Sequence, residues 1–379
     1  MKPLVNPFPN HIPALDGIRG MAIFAVLMIH FFELPPTNQV EAILWRLSRF
    51  GMWGIDLFFV LSGFLITGIL LHSKERADYF KRFFMRRFLR IFPVYYLLLF
   101  VIFILIPLFP VFHGPTLDQI LDSEPWAWLY SMNLYVSWKG EWTPAYINHF
   151  WSLAVEEHFY LFWPFVVYFT PNHRLPAVCL GMMGLSFGFR CWSIAEGQPE
   201  IVRYAFTVAR LDVLCLGAYL ATKVRLVDNA DQGLAWLKTY VHRVGPLGFL
   251  GVLTLAGAEG FFQDGRWLEP FKYLAYGLFI SSFIGFGLLA KPQSLVDSFY
   301  RWRFFTFLGK YSYGIYLYHN IISYDFQLNH RIELFQTLIP NHTGAYLLQV
   351  TVGCFLSVGL AMMSYHGFEE KFLKLKKYF

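Results

Sequence analysis

Long apolar stretches, separated by short polar segments, recur along the whole chain. All but the fourth of these stretches are about long enough to cross a hydrocarbon core of about 30 Å as a helix. Their apolar residues run continuously instead of alternating, which favours helices over barrel strands. The sequence therefore predicts an all-α, polytopic membrane bundle. The stretches cover roughly residues 14–34, 50–72, 91–112, 126–138, 149–170, 176–195, 206–222, 244–262, 269–290, 304–325 and 344–366.

The basic residues between the stretches predict the orientation of the bundle. Segment 73–90 contains seven Lys and Arg, and segments 223–243 and 291–303 and the C-terminal tail KFLKLKKYF are also basic. The positive-inside rule places these segments in the cytoplasm. Counting spans forward from segment 73–90 and backward from the C-terminal tail gives the same orientation only if segment 126–138 does not cross the membrane. We therefore expect about ten transmembrane helices, with the N and C termini cytoplasmic.

The composition agrees with a membrane protein and narrows its chemistry. Of the 379 residues, 56% are hydrophobic and only 15% are charged, whereas about a quarter is usual in soluble domains. The net charge of +6 is explained by topology, so it does not indicate a nucleic-acid partner. The four cysteines have no metal or redox spacing, and no phosphate-binding glycine loop or GxSxG motif is present. We expect no metal and no permanently bound cofactor, and the sequence leaves the oligomeric state open.

The first apolar stretch carries an arginine and a histidine. In DGIRGMAIFAVLMIH, residues 16–30, Arg19 and His30 are close to three helical turns apart, so they share one face about 16 Å apart along the axis. Ionisable groups inside a membrane are candidates for a functional site. The structural alternatives are an Arg19–Asp16 pair or snorkelling of Arg19, and a packing role for His30.

Acidic residues within other stretches are candidate partners for His30. Asp56 is expected at about the depth of His30, where it would orient an imidazole or simply cap a helix. Glu156 and Glu157 point in different directions on one helix, so we expect one of them to face a cavity. The other, or Asp212, would then form a buried ion pair, with Arg210 as one available cation.

Two further sets of residues follow a helical spacing. Ser312, Tyr316 and His319 share one face of a helix. They belong either to a site or to an aromatic belt.

The segment KRFFMRRFLRIFP, residues 81–93, carries Arg82, Arg86 and Arg90 at the spacing of one helical face, with Arg87 three residues before Arg90. Such a face either follows the positive-inside rule and attracts anionic lipid, or clamps a phosphate-bearing ligand.

The arginines and the candidate acid–base residues are expected at different depths in the membrane. Arg19 and the arginine face are placed near the cytoplasm, which suggests a phosphate-bearing donor held from inside. Acid–base chemistry is expected near the outer face, where we place His30, Asp56, Glu156, Asp212 and His319.

Several of these motifs, in order, resemble those of the acyltransferase-3 family of integral-membrane O-acyltransferases. They are LDGIRG with the Arg19–His30 spacing, IDLFFVLSGFLI, RRFLRIFPVYY with Arg87 and Arg90, FWSLAVEEHFYLFWP, RLDVLCLGAYLA and YSYGIYLYH. They extend from residue 13 to about residue 320. The set is specific as a whole, whereas each motif alone is weak.

The resemblance implies a ten-span enzyme that moves an acyl group, often acetyl, from cytoplasmic acyl-CoA to a hydroxyl of a glycan, an antibiotic or another acceptor. It implies that His30 is catalytic, that Arg19 is its essential partner and that Arg87 and Arg90 bind the donor. Residues 1–379 are then expected to form one membrane domain without the appended SGNH-type domain of some members. A bacterial inner membrane is the expected location.

On this hypothesis His30 is a general base tuned by Asp56 or Glu156, although an acyl-histidine intermediate is the alternative. Donor or acceptor contacts are expected from Arg19, Arg86, Arg87, Arg90, Glu157, Asp212, Tyr316 and His319. Two other functions remain open, namely a proton-coupled permease, which would also use intramembrane histidines and acids, and an acyl-CoA sensor without turnover.

Overall fold

The computed structural model describes residues 7–9, 11–258 and 265–379, and the regular structure in these ranges is helical with no strand. A π-helical turn, Val101–Leu105, directly follows the helix Tyr79–Phe100, and another, Tyr365–Glu369, joins the helices His342–Ser364 and Glu370–Lys374. The α-helices are α1 Pro13–Phe31, α2 Gln39–Ser48, α3 Trp53–Ser73, α4 Tyr79–Phe100, α5 Pro115–Asp122, α6 Glu124–Trp128, α7 Met132–Lys139, α8 Phe150–Phe169, α9 Leu175–Ala195, α10 Glu200–Ala205, α11 Thr207–Arg225, α12 Ala230–Ala258, α13 Glu269–Leu289, α14 Leu295–Tyr300, α15 Arg303–Leu328, α16 Ile332–Leu338, α17 His342–Ser364 and α18 Glu370–Lys374.

Seven helical stretches of the described residues are long and apolar enough to cross a membrane. This confirms the prediction of an all-helical, polytopic membrane protein. The stretches are Pro13–Phe31, Gln39–Ser73, Tyr79–Leu108, Asn172–Ala195, Glu200–Arg225, Gly265–Leu289 and His342–Tyr378.

Three other expected spans correspond to α8, α12 and α15, which have 20, 29 and 26 residues but are not among the seven. Residues 259–262 of the expected span 244–262 lie outside the described residues. The number ten and the cytoplasmic location of the termini therefore stay predictions.

The aromatic segment 126–138 was expected not to cross. It forms parts of α6 and α7, which have five and eight residues. A helix needs about 20 residues to span the hydrocarbon core, so neither helix is long enough.

Glycines bring two pairs of long helices into backbone contact. Helix α1 packs along α15, and α3 packs along α11. A Cβ added at Gly20 would overlap the carbonyl oxygen of Phe305, and one at Gly63 would overlap that of Leu214. In a membrane, where lipid is as apolar as leucine, such close van der Waals packing holds helices together.

The long helices around the site alternate in direction. Helices α1, α4 and α15 begin at the end of the bundle that carries Arg19 and Arg90, which we call the arginine end. Helices α3 and α8 begin at the opposite end, which carries His30 and His149 and which we call the histidine end. The bundle therefore places basic residues from several helices at one end and the histidines at the other.

The close packing of α3 against α11 predicts a clear stability difference between two glycine variants. A valine at Gly217 would overlap the carbonyl oxygen of Val60, whereas no atom lies within 4 Å of a Cβ at Gly181. We expect Gly217→Val to destabilise the protein by about 1–3 kcal/mol, since overpacking forces backbone shifts. Thermal unfolding in detergent measures the effect, with Gly181→Val as the matched control. Equal unfolding midpoints for the two variants would contradict the described helix packing.

Candidate active site

Three cavities adjoin one another between the arginine end and the histidine end. Leu65, Arg87 and Arg90 line both the first cavity, the arginine cleft, and the second, the central cavity. Ile55 and Tyr316 line both the central cavity and the third, the histidine pocket. The shared residues show that the cavities follow one another along the bundle.

The arginine cleft is strongly basic and has an empty volume of about 1620 Å³. Arg86 donates from Nε to the carbonyl oxygen of Phe379 at 3.0 Å. The helical spacing on α4 brings several arginines to one side of the cleft, and α11 and the C-terminal segment add further cations. The basic side chains that line it are Arg76, Arg82, Arg86, Arg87, Arg90, Arg225 and Lys376.

Arg87 and Arg90 stand out because no carboxylate of the described residues pairs with either of them. The guanidinium of Arg87 packs over the ring of Tyr160, 4.5 Å from its centroid. Arg90 also lines a side cavity together with Glu369 and Lys376. Guanidinium groups that face a cavity without a protein partner are suited to bind an anion such as phosphate.

The central cavity mixes cations and acids. Arg19 lines it, and its Nη1 donates to Asp16 Oδ1 at 2.7 Å, so the expected Arg19–Asp16 pair is present although Arg19 also faces the cavity. Glu156 accepts a hydrogen bond from Ser62 and lies 3.1 Å from the hydroxyl of Tyr160. Glu156 therefore lies with the arginines and not, as expected, with His30.

The expectation that one of the two adjacent glutamates faces a cavity is not what the structure shows. Both Glu156 and Glu157 line the central cavity. Successive helical positions differ in direction by about 100°. The cavity is wide enough to receive both side chains because α3, α4 and α15 all contribute to its wall.

Three histidines from three helical regions meet at the histidine pocket, where His30 and His149 line the cavity and His319 is buried beside them. The ring centroids of His30 and His319 are 4.9 Å apart, and those of His149 and His319 are 5.2 Å apart. His319 lies within van der Waals range of both other rings and is fully buried. The residues that face His30 are thus histidines and not the acids that the sequence analysis expected.

The two buried histidines differ in their hydrogen bonds. The Nδ1–H of His319 donates to the carbonyl oxygen of Tyr316 at 2.7 Å, whereas its Nε2 is buried without a hydrogen-bond partner. His149 has no side-chain hydrogen bond on either ring nitrogen. The hydroxyl of Tyr316 connects this cluster to the central cavity, because it lies 2.5 Å from Ser152 Oγ and donates to the carbonyl oxygen of His149 at 3.0 Å.

The outer part of the histidine pocket combines carboxylates with aromatic faces. Glu33 lies just after α1, and burial raises the pKa of its carboxyl above the ordinary value, partly offset by the hydrogen bond from Gln327. Trp142 is 46% exposed, and its ring lies 6.0 Å from that of Trp151 and 5.6 Å from that of Tyr204. Aromatic faces next to carboxylates are suited to a polar ligand with a flat face, such as a sugar.

Asp56 and Asp212 lie in buried ion pairs instead of in the cavities. Asp56 pairs with Arg210, and Asp212 accepts from Arg190 Nη1 at 2.6 Å. A buried guanidinium is costly without a counter-charge, which explains why each aspartate faces an arginine. Asp56 therefore contacts Arg210 and not, as was expected, His30. Asp212 forms the buried ion pair that was one of its two predicted roles, with Arg190 as the partner.

Several residues that line the cavities have only a weak signal in the sequence. His149 stood out in the sequence only as a histidine directly before the span that carries the two glutamates. Arg225 served only as a charge in a basic segment, and Trp142 had no signal beyond its aromatic surroundings. Among the described residues, no group of three or more His, Cys, Asp or Glu is arranged to hold a metal ion.

A family model described as an acyltransferase domain matches residues 12–366. The chain therefore belongs to the acyltransferase-3 family, and the resemblance inferred from its motifs is confirmed. This makes it an acyltransferase domain embedded in a membrane.

Two similar curated proteins are named as peptidoglycan O-acetyltransferases. A putative peptidoglycan O-acetyltransferase of Bacillus subtilis is 29% identical over 378 residues, which cover 95% of this chain and 55% of the relative. A peptidoglycan O-acetyltransferase of Listeria monocytogenes is 27% identical over 82% of this chain and 49% of the relative. The chain thus spans about half the length of the curated relatives it matches. No solved structure matches it significantly.

The buried ion pair of Asp56 predicts a structural phenotype. Asp56→Asn removes the carboxylate that contacts the buried Arg210, so we expect a loss of stability of about 3–5 kcal/mol. The double variant Asp56→Asn with Arg210→Met should recover much of this loss. Thermal unfolding of the purified wild type, the single variant and the double variant tests this prediction. A stable Asp56→Asn protein that has lost only its activity would instead support the catalytic role first expected for Asp56.

Proposed function

We propose that the chain is a membrane O-acyltransferase that moves an acyl group, acetyl above all, from acyl-CoA to a hydroxyl of a glycan. The donor enters at the arginine end and the acceptor at the histidine end. Transfer takes place in one stage within the helical bundle. The observation that carries the proposal is the series of three adjoining cavities, with unpaired arginines at one end and a histidine cluster at the other.

The arginine cleft supports a phosphate-bearing donor. Arg87 and Arg90 have no carboxylate partner among the described residues, and both line the passage into the central cavity. We propose that they bind phosphates of acyl-CoA, with Arg86 at the cleft wall, while the thin pantetheine arm extends through the central cavity. The orientation expected from the basic segments places this end in the cytoplasm of a bacterium, where acyl-CoA is available.

The histidine pocket supports a glycan acceptor. Its aromatic wall of Trp142, Trp151 and Tyr204 lies beside Glu141 and Glu200, which can accept hydrogen bonds from sugar hydroxyls. The curated relatives are named for O-acetylation of peptidoglycan, which is a glycan outside the cytoplasm. We therefore propose a cell-envelope glycan as the acceptor of this chain.

The chemistry proposed for the pocket is general base catalysis by His30. Its ring takes the proton of the acceptor hydroxyl while the oxygen attacks the thioester carbonyl carbon. The carbon–sulfur bond then breaks, and the thiolate of CoA receives a proton, so the products are the ester and free CoA. His319 occupies the position beside His30 that was expected for an acid, and Tyr316 lies between this cluster and the central cavity.

Loss of the His30 imidazole should abolish transfer without unfolding the protein. General base catalysis contributes about 10²–10⁴-fold, so His30→Ala should lower kcat by at least two orders of magnitude. Acetyl transfer from labelled acetyl-CoA to a glycan acceptor in proteoliposomes measures this. The unfolding midpoint of the variant serves as the control for folding. Full transfer by a folded His30→Ala protein would exclude His30 as the base.

Loss of Arg87 should weaken donor binding more than it slows the chemical step. We expect Arg87→Ala to raise KM for acetyl-CoA by about tenfold or more, since a charge-assisted hydrogen bond is removed. Arg174→Ala is the matched control, because Arg174 is an exposed arginine that lines none of the three cavities. An unchanged KM for acetyl-CoA in Arg87→Ala would contradict the proposed donor site. Failure of the wild-type protein to bind acetyl-CoA would favour a permease instead.

A further inference from the structure

Arg225 is a buried cation that the proposed mechanism does not use. It is the last residue of α11, and its side chain is 8% exposed. The guanidinium packs over the ring of Phe64 at 4.5 Å and near that of Phe8 at 5.7 Å. A Cβ added at Gly68 would lie only 2.8 Å from the guanidinium carbon, so the glycine makes room for it. The position of Arg225 is thus closely defined by packing.

The guanidinium of Arg225 has no counter-charge in the described part of the chain. Its Nη1 is buried and has no hydrogen-bond partner. Three other buried arginines behave differently, because each has a carboxylate partner. These pairs are Arg190 with Asp212, Arg203 with Glu269 and Arg210 with Asp56. Since unpaired buried charge is strongly unfavourable, the exception of Arg225 indicates a partner outside the described residues.

The location of Arg225 indicates what kind of partner this is. Arg225 lines the arginine cleft together with Arg87 and Arg90. Gly68, on which its guanidinium packs, is about 4.5 Å farther along α3 than Leu65, which lines both the cleft and the central cavity. Arg225 is therefore about one helical turn farther from the central cavity than Leu65, at which the cleft and the central cavity meet.

We propose that Arg225 binds a phosphate group in the arginine cleft, about one helical turn farther out than the passage lined by Arg87 and Arg90. A planar guanidinium that packs against aromatic rings suits a phosphate oxygen pair. The phosphate belongs either to the outer part of the acyl donor, which for CoA is the ribose 3′-phosphate, or to the headgroup of an anionic lipid. The first source rests on the proposed function, and the second does not.

Binding of CoA and of 3′-dephospho-CoA to the purified, full-length protein distinguishes the sources. If the donor supplies the phosphate, the wild type binds CoA more tightly than 3′-dephospho-CoA. Arg225→Met should then lose about tenfold or more in affinity for CoA and nothing for 3′-dephospho-CoA. Arg225→Lys keeps the charge and should retain part of the preference. Arg174→Met, which removes an exposed charge at the same end, should keep all of it.

The lipid source is tested with phosphatidylglycerol. If the headgroup supplies the phosphate, Arg225→Met binds both nucleotides as the wild type does but retains less phosphatidylglycerol in native mass spectrometry. This lipid test stays valid if the wild type binds no CoA. Such a result would overturn the proposed donor. Binding of phosphatidylglycerol alone would then decide whether Arg225 binds a phosphate. Unchanged binding of all three probes in Arg225→Met overturns the proposal, as does an equal loss for both nucleotides.

Thermal unfolding without ligand separates binding from a structural role. Removal of an unpaired buried charge should leave the midpoint of Arg225→Met at or above that of the wild type. Addition of the phosphate-bearing probe should then raise the midpoint of the wild type more than that of the variant. A clearly lower ligand-free midpoint for Arg225→Met would show that the guanidinium serves the fold, and would overturn the proposal.

Discussion

The free-energy cost of burying a cation in an apolar bundle determines which charged side chains of this molecule form ion pairs. Inside the bundle, a guanidinium without a counter-charge is strongly disfavoured. Arg190 and Arg210 satisfy this constraint through carboxylates on neighbouring helices, and these pairs hold α3, α9 and α11 in a defined arrangement. Arg87, Arg90 and Arg225 have no such partner among the described residues. The same physical rule therefore separates arginines that serve the fold from arginines that await an anion.

The arrangement of the cavities connects this electrostatic pattern to group transfer. Arg87, Arg90 and Arg225, which form no ion pair with a described carboxylate, lie at one end and the histidine cluster lies at the other, with a passage between them. A donor with a charged head and a long, thin arm fits such a passage, since the head can stay among the arginines while the reactive group reaches the histidines. An acceptor then never needs to enter the basic part of the protein.

Periodicity along single helices predicted much of this correctly, whereas contacts between helices were harder to predict. The spacing of Arg19 and His30 places them along α1, and the spacing of Tyr316 and His319 brings both to the region of the histidine pocket. The partner of Asp56 could not be deduced in this way, because two acids and several cations had similar predicted depths. Which of them meet depends on how α3 and α11 rotate about their axes, and that follows from glycine contacts far from the charges.

The backbone contact between α1 and α15 has a mechanical consequence. His30 belongs to one of these helices and His319 to the other, and between them and the arginine end the two backbones touch at Gly20 and Gly309. Helices in such close contact cannot slide past one another without overlap. The two histidines are therefore parts of one rigid frame. The movement that brings donor and acceptor together is then made by the flexible substrate and not by the protein.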